Sequence, residues 1–344
     1  MMKLGITLTG IGPGGVDMDL VQAAESMGFD SVWVAEAYGS DAVSPAAWIL
    51  ARTSRIKVGT AIMQMTARTP TVAAMSAMTL NMMSGGRFIP GIGASGPQVV
   101  EGWHGTAYGR PLERTREYVK IMRQVFAREA PVTHQGRHYT LPYAGEGGSG
   151  LGKPLKSMLP ADKDIPIYTA SITPNGLATS AEVADGVFPI WMDPEKFDVL
   201  GEHLQRGFDA SGRTLADYEV APFVGVSMGD DLEQSRQALR ASMSFYIGGM
   251  GARDKNFYTN YARALGFDQE ALDIQELFLS GKRDEAAARV PDELVDGCNL
   301  VGPAGHIRER LQVWKKAGAA NQVGSMLLRT GDIQALEVVA KEIL

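Results

Sequence analysis

The stretch Tyr168-Thr169-Ala170-Ser171-Ile172-Thr173-Pro174-Asn175-Gly176 carries residue types suited to holding an anion. Thr173 can cap a helix that begins at Pro174, because its hydroxyl oxygen accepts from a first-turn amide and Pro has no amide to lose there. Ser171, Asn175 and Gly176 add small polar groups or unobstructed backbone around that start. Helix amides and the macrodipole together favour a phosphate at such a place, while an ordinary capped helix is the competing reading.

Other candidates are fewer. Glu36 closes the run Ser31-Val32-Trp33-Val34-Ala35-Glu36, where partial desolvation could fit a carboxyl for proton transfer, and Tyr38 follows it; the same acid could instead pair with a nearby Arg. The run Phe88-Ile89-Pro90-Gly91-Ile92-Gly93-Ala94-Ser95-Gly96 has glycines at 91, 93 and 96, so backbone can approach a flat ring or a sugar chain closely. It is not the dinucleotide fingerprint, because Pro97 follows and no clean βαβ unit opens there. His134 and His138 have i, i+4 spacing, but Gly136 between them and Pro131 and Pro142 around them predict a loop or hairpin, and no metal site is expected. Cys298 is the single cysteine and has no partner for a disulfide or a metal. With no Ser-His-Asp, Cys-His or paired-carboxylate arrangement, the hard chemistry is expected to come from a cofactor.

Elements in a definite order must position these residues. Apolar, β-branched runs near 3–9, 31–36, 56–63, 88–94, 166–171, 186–191, 220–228 and 323–329 alternate with helical stretches. That order predicts parallel strands with right-handed crossovers, and eight of them predict a (β/α)8 TIM barrel, an α/β fold, rather than an open doubly wound sheet. Helix ends are expected at Gly28, at Ser84-Gly85-Gly86 and at Gly318. Two segments exceed simple connections: about 131–164 after the fourth strand, and about 253–296 after the seventh, the latter read as extra helices whose Phe257, Tyr258 and Tyr261 pack over the mouth. No linker divides residues 1–344, so a single domain with two insertions is expected. The active site of a barrel lies at the carboxyl ends of its strands, which directs attention to Thr7, Thr9, Glu36, Tyr38, 62–64, 94–96, 170–176, Trp191, Ser227, Arg329 and Thr330.

Bulk properties narrow the functional classes. With 45% apolar residues the chain can bury a full core, and a net charge of −6 without basic clusters argues against a nucleic-acid surface. The first residues lack the features of a secretory signal and no apolar run is long enough for a bilayer, so a cytoplasmic protein without membrane contact is expected.

Several segments resemble the luciferase-like flavin and deazaflavin oxidoreductases: Lys3-Leu4-Gly5-Ile6, Met27-Gly28-Phe29-Asp30-Ser31-Val32-Trp33, Ile56-Lys57-Val58-Gly59-Thr60, Ser84-Gly85-Gly86-Arg87-Phe88 with Gly91-Ile92-Gly93, and Ile165-Pro166-Ile167-Tyr168. They occur in order along nearly the whole chain. Within that group the sequence is most similar to the coenzyme F420-dependent branch, which includes methylenetetrahydromethanopterin reductase. The run Ser95 to Trp103, with Glu146-Gly147-Gly148 and Gly152-Lys153-Pro154, looks like a set of actinobacterial F420-dependent oxidoreductases.

The resemblance implies hydride transfer between F420 and a small organic substrate, more in the direction of an F420H2-dependent reductase. The alternatives are an FMN-dependent monooxygenase and a non-catalytic cofactor-binding barrel. It implies a non-prolyl cis peptide at Ala61-Ile62 behind the ring, with Gln64 at the ring edge. It also places Ala94, Ser95 and Gly96 along the ring and ribityl chain, and Ala170, Ser171, Ile172, Thr173, Asn175 and Gly176 at the phosphate. Ile62, Met63, Met65, Trp191 and Phe245 are candidate apolar walls. The sugar-phosphate dehydrogenases of this branch end the second strand in Asp-His; Glu36-Ala37 stands here, which argues against sugar-phosphate oxidation and leaves Glu36 or Tyr38 to relay a proton. Homodimers are common in the family, and one is expected here.

Overall fold

The computed structural model describes residues 2–8, 11–12, 14–251 and 253–344. The eight strands are β1 (Lys3–Leu8), β2 (Ser31–Val34), β3 (Lys57–Thr60, resumed at Met63–Gln64), β4 (Phe88–Ile89, resumed at Gly91–Gly93), β5 (Tyr168–Ala170), β6 (Gly186–Phe188), β7 (Glu219–Val220, resumed at Phe223–Met228) and β8 (Ser325–Arg329). Each pairs in parallel with its neighbour in chain order, and β8 returns to β1 with Lys3 beside Ser325 and Ile6 beside Leu328. Where β7 breaks at Ala221-Pro222, Phe223 N–H donates to Pro189 O at 3.0 Å and Leu327 N–H to Pro222 O at 3.0 Å, which carries the ladder across. The strands therefore close into the expected (β/α)8 barrel.

Side-chain alternation along the strands separates two cores. Leu4, Ile6, Val32, Val58, Ile92, Val187, Val224, Met326 and Leu328 point outward and pack under the helices. Trp33, Ile89, Tyr168, Phe188, Ala221 and Leu327 point inward and fill the barrel, with Phe223 stacked on Phe188 at a centroid distance of 5.5 Å. Such wide rings fit because the strand opposite Trp33 gives way: a Cβ on Gly59 would lie 2.2 Å from the indole. The barrel is thus a packed plug, open to chemistry only above it.

The helices begin and end for local reasons. Asp17 caps Met18–Met27, accepting from Leu20 N–H at 3.0 Å, and Gly28 stops it in the left-handed conformation at φ 91°. Thr69 caps Pro70–Ser84, and Gly85 ends it at φ 69°. Arg87, in the following turn, donates to Leu50 O, Thr53 O, Ile56 O and Ser84 O, so the Ser-Gly-Gly-Arg run clamps two helix ends at the bottom of the barrel. Gly318 does not end its helix: Ala304–Ala319 runs through it, and glycine is needed there because a Cβ would meet Met2 Cβ at 2.8 Å.

Both long segments are structured. After β4 the helix Pro111–Ala127 leads to the short hairpin His134–Gln135 with Thr140–Leu141, where the carboxylate of Glu117 accepts from the amides of Arg137, His138 and Tyr139. After β7 and the helix Leu232–Gly249 come the helices Phe257–Ala264, Asp268–Leu279, Arg283–Ala288 and Asp292–Cys298. A strand that sequence patterning did not reveal, Leu300–Gly302, lies beside β7 with Val226 opposite Leu300. Three residues are too few to show alternation. Among the described residues no helix is long and apolar enough to cross a membrane.

Candidate active site at the carboxyl end of the barrel

Above the aromatic plug, the next inward-facing positions are small. Thr7 lies two residues beyond Gly5, Ala35 beyond Trp33 and Ala170 beyond Tyr168, each by the same alternation. The peptide Ala61-Ile62 is cis and interrupts β3, and both residues pack on the inward cluster. Gly91 and Gly93 are glycines for packing rather than for an approaching ligand: a Cβ on Gly91 would meet Thr60 O at 2.0 Å, and one on Gly93 would meet Ile62 Cδ1 at 2.7 Å. Two non-glycine residues with left-handed backbone stand on the rim, Ser95 at φ 59° after β4 and Trp191 at φ 51° after β6. Conformations of this kind persist only where surrounding contacts enforce them. The Trp191 ring lies 5.7 Å from Tyr258 and 5.9 Å from Tyr246, and its carbonyl accepts from Tyr261 Oη–H at 3.4 Å. Burial pushes the Tyr258 phenol up to about 12, so it stays protonated.

Glu36 accepts four hydrogen bonds from three residues. Its carboxylate forms a two-pronged pair with Arg68, both contacts at 2.7 Å, and accepts from Gln64 N–H at 2.7 Å and Ala42 N–H at 3.2 Å. Its side chain is 6% exposed. The bonded carboxylate in turn raises the pKa of the Arg68 guanidinium. Gln64 donates to Ala37 O at 2.9 Å, which leaves its amide oxygen to accept from His104 Nε2–H at 2.7 Å. Glu36, Arg68, Gln64 and His104 thus form one network that fixes the loops after β2, β3 and β4. Tyr38, by contrast, is 64% exposed.

The loop after β5 folds as the residue types suggest. Thr173 caps Pro174–Val183, its hydroxyl accepting from Gly176 N–H at 3.2 Å, and Leu177 N–H returns to Thr173 O at 2.8 Å. Asn175 N–H makes no bond to protein among the described residues, and Asn175 is exposed. Gly176 is buried rather than open: a Cβ there would lie 2.0 Å from Ser171 Oγ and 2.6 Å from Thr173 Oγ1. Arg206 reaches this turn from the adjacent helix Asp198–Ser211 and donates to Pro174 O at 2.9 Å, adding positive charge that sequence patterning did not indicate. Burial and then Arg206 lower the pKa of His203 beside it, so the local charge is the guanidinium's.

The mouth therefore collects Ala61, Ile62, Ala94, Ser95, Gly96, Ala170, Ser171, Ile172, Thr173 and Asn175 on the strand ends β3 to β5. Gln64 belongs to it only from beneath, being 1% exposed. Met63 and Met65 are outward core at 0% and 1% exposure, not walls of the mouth, because alternation past the break turns them toward the helices. Phe245 packs on Tyr246 and Phe278 instead. Tyr258 and Tyr261 join the rim as expected, but Phe257 is 43% exposed. Thr9 lies outside the described residues. His104, Arg68 and Arg206 went unnoticed in the sequence because none sits at a motif spacing. A cavity of about 650 Å³ at the opposite end of the barrel is lined by Lys3, Asp30, Lys57, Asp162, Tyr168 and Glu219. Within it Lys3 pairs with Glu219, Lys57 pairs with Asp30 at 3.1 Å, and Asp162 accepts from the Asn81 amide at 2.7 Å.

The profile of the family described as luciferase-like monooxygenase matches residues 16–321. The chain is 45% identical to a Mycobacterium tuberculosis protein named as a coenzyme F420-dependent oxidoreductase, over 94% of each chain. It is 28% identical to 5,10-methylenetetrahydromethanopterin reductase of Archaeoglobus fulgidus, over 94% of this chain and 93% of that one. In fold it is similar to the F420-dependent tetrahydromethanopterin reductase of Methanopyrus kandleri, with a TM-score of 0.79, 22% identity, and coverage of 99% and 98%.

Proposed function

Since the chain belongs to the luciferase-like monooxygenase family, we propose that it is a coenzyme F420-dependent oxidoreductase working as an F420H2-dependent reductase of a small organic acceptor. The observation that supports this best is the conjunction, in one mouth, of a floor of small residues and an anion-receptive helix start. When bound, the deazaflavin supplies a two-electron hydride donor that reacts poorly with oxygen. Ala61, Ile62, Ala94, Ser95 and Gly96 would flank the ring and its chain. Ala170, Ser171, Ile172, Thr173 and Asn175 would face the phosphate, with Arg206 as an added charge and Gly176 as the residue that lets the turn close. Gln64, buried against Ala37 and His104, would hold the β3 loop rather than touch the ring itself.

The protein's remaining work is to orient the acceptor, exclude water and pass a proton. Of Glu36 and Tyr38, we assign the proton relay to Tyr38, whose side chain is exposed and not held in an ion pair among the described residues. Glu36, with its oxygens engaged by Arg68, Gln64 and Ala42, positions the loop that carries it. An FMN-dependent monooxygenase and an inert cofactor carrier are the readings to separate. Tight FMN binding with none for F420 supports the first, and F420H2 binding without acceptor-dependent oxidation supports the second.

We also propose a homodimer. The helix Pro70–Ser84 contains no charged residue, yet Val72, Met75, Met82 and Met83 are exposed on it, and Trp48 is exposed on the neighbouring helix Val43–Arg52. An uncharged helix with several exposed apolar side chains is ordinarily covered, and an apolar self-complementary face is the common means of forming a two-fold pair.

A further inference from the structure

Arg329 closes β8, and its direction is fixed by its neighbours. Ser325 bonds Glu219 inside the lower barrel and Leu327 belongs to the inward aromatic cluster, whereas Met326 and Leu328 pack outward. Alternation therefore turns the Arg329 side chain into the mouth. It is exposed, and among the described residues its guanidinium has neither a carboxylate partner nor a hydrogen bond. Three acids near the rim are engaged elsewhere. Glu36 is paired with Arg68, Asp332 caps the helix Ile333–Ile343 through Gln334 N–H at 2.8 Å, and Asp231 caps Leu232–Gly249 through Gln234 N–H at 3.0 Å. Its planar guanidinium donors thus bond no described residue and suit a two-pronged contact with an anion.

Its position in the ring of strands separates it from the proposed cofactor loops. Those loops follow β3, β4 and β5, and β8 lies across the barrel from them, between β7 and β1. The side of the mouth left free thus has Thr7 on its floor and carries one inward cation. We propose that Arg329 is the specificity-determining residue for the acceptor, and that the acceptor class is a small molecule bearing a carboxylate, which Arg329 holds by a two-pronged contact. This rests on the F420-dependent reading above for the reaction, but the anion contact itself is a property of this chain.

The test uses binding as well as turnover. Cinnamate and its uncharged amide serve as planar probes, titrated calorimetrically into the parent and into Arg329→Met and Arg329→Lys, each with saturating oxidised F420. The parent should bind cinnamate on the order of tenfold more tightly than cinnamamide. Arg329→Met should abolish that preference without changing amide affinity, and Arg329→Lys should restore part of it. F420 affinity and the melting temperature should be the same in all three. Equal binding of acid and amide by the parent overturns the proposal, as does a preference that survives in Arg329→Met. So does a loss of F420 affinity in Arg329→Met, which would place the guanidinium on the cofactor. If the parent binds no F420, the F420 reading fails on its own, and the same titrations without cofactor still decide the anion contact by the acid-to-amide ratio.

Discussion

Asn175 and Gly176 are adjacent at the start of one helix, yet only one of them can report on a bound phosphate. An acid at 176 would first have to displace Ser171 Oγ, 2.0 Å from its Cβ, so any loss of binding would be confounded by a distorted turn. Asn175 is exposed and its amide is unused, so Asn175→Asp introduces a carboxylate with little steric change. Two unit charges about 4 Å apart at an effective dielectric near 20 repel by roughly 4 kcal/mol, and solvent screening at an exposed position reduces this to about 1–2 kcal/mol. Cofactor affinity measured by fluorescence titration should therefore fall on the order of tenfold. The melting temperature should hold, because an acid in the first turn of an empty helix is favourable to the dipole. Unchanged affinity would reduce the loop to an ordinary capped helix. Thr173, Pro174 and Asn175 were legible in the sequence because capping chemistry is local. The reason for Gly176 was not, since it depends on where the Ser171 side chain lies. Glu36 was legible as a residue at the mouth, and pairing with an Arg was one of the two readings open to it, but which Arg was not legible, since Arg68 is 32 positions away along the chain.

The elements followed their signals closely. Eight strands appear where β-branched runs alternate with helices, and Gly28 and Gly85 stop helices for the backbone reason foreseen. Gly318 misled because a glycine can also mark close packing, here against Met2, and only the fold brings those two together. Long-range carboxylate staples were also invisible. Glu25 accepts from the amides of Ser54, Arg55 and Ile56, and Glu117 from those of Arg137, His138 and Tyr139, joining segments about 20 to 30 residues apart. Burial raises the pKa of each carboxyl, but the amide donors outweigh it and hold both below the usual carboxylate range. A depressed folded-state pKa gives stability that is fully present above the unfolded value, near 4.3 for Glu, and that is lost as pH falls through the folded value. Protection of the amides of residues 54–56 and 137–139, taken relative to their intrinsic exchange rate at each pH, should therefore fall only below the ordinary Glu range. In Glu117→Ala the hairpin amides should already be fast at neutral pH, while 54–56 remain protected. Equal protection of the hairpin in parent and variant would remove Glu117 as its anchor.

At the scale of the whole molecule, the closed barrel sets the division of labour. An aromatic plug gives the interior over to packing, and small residues above it leave the upper face for ligands. The outer helices are then free to assemble, and the uncharged face of Pro70–Ser84 should be covered by a second copy. Sedimentation equilibrium should give a dimer at micromolar concentration and a folded monomer for the double substitution Met75→Glu with Met82→Glu; a parent monomer would leave that face unexplained. In the proposed function the mouth takes a deazaflavin and passes its hydride to an organic acceptor. The most direct measurement is anaerobic titration of the purified chain with F420H2 and with reduced FMN, followed by addition of an acceptor panel of enones, imines and nitroaromatics. The expected result is micromolar affinity for F420H2, weaker binding of FMN, and reoxidation of the deazaflavin that depends on the acceptor and proceeds without oxygen. Tight FMN binding with no affinity for F420H2 would contradict it, as would F420H2 that binds and is never oxidised by any acceptor.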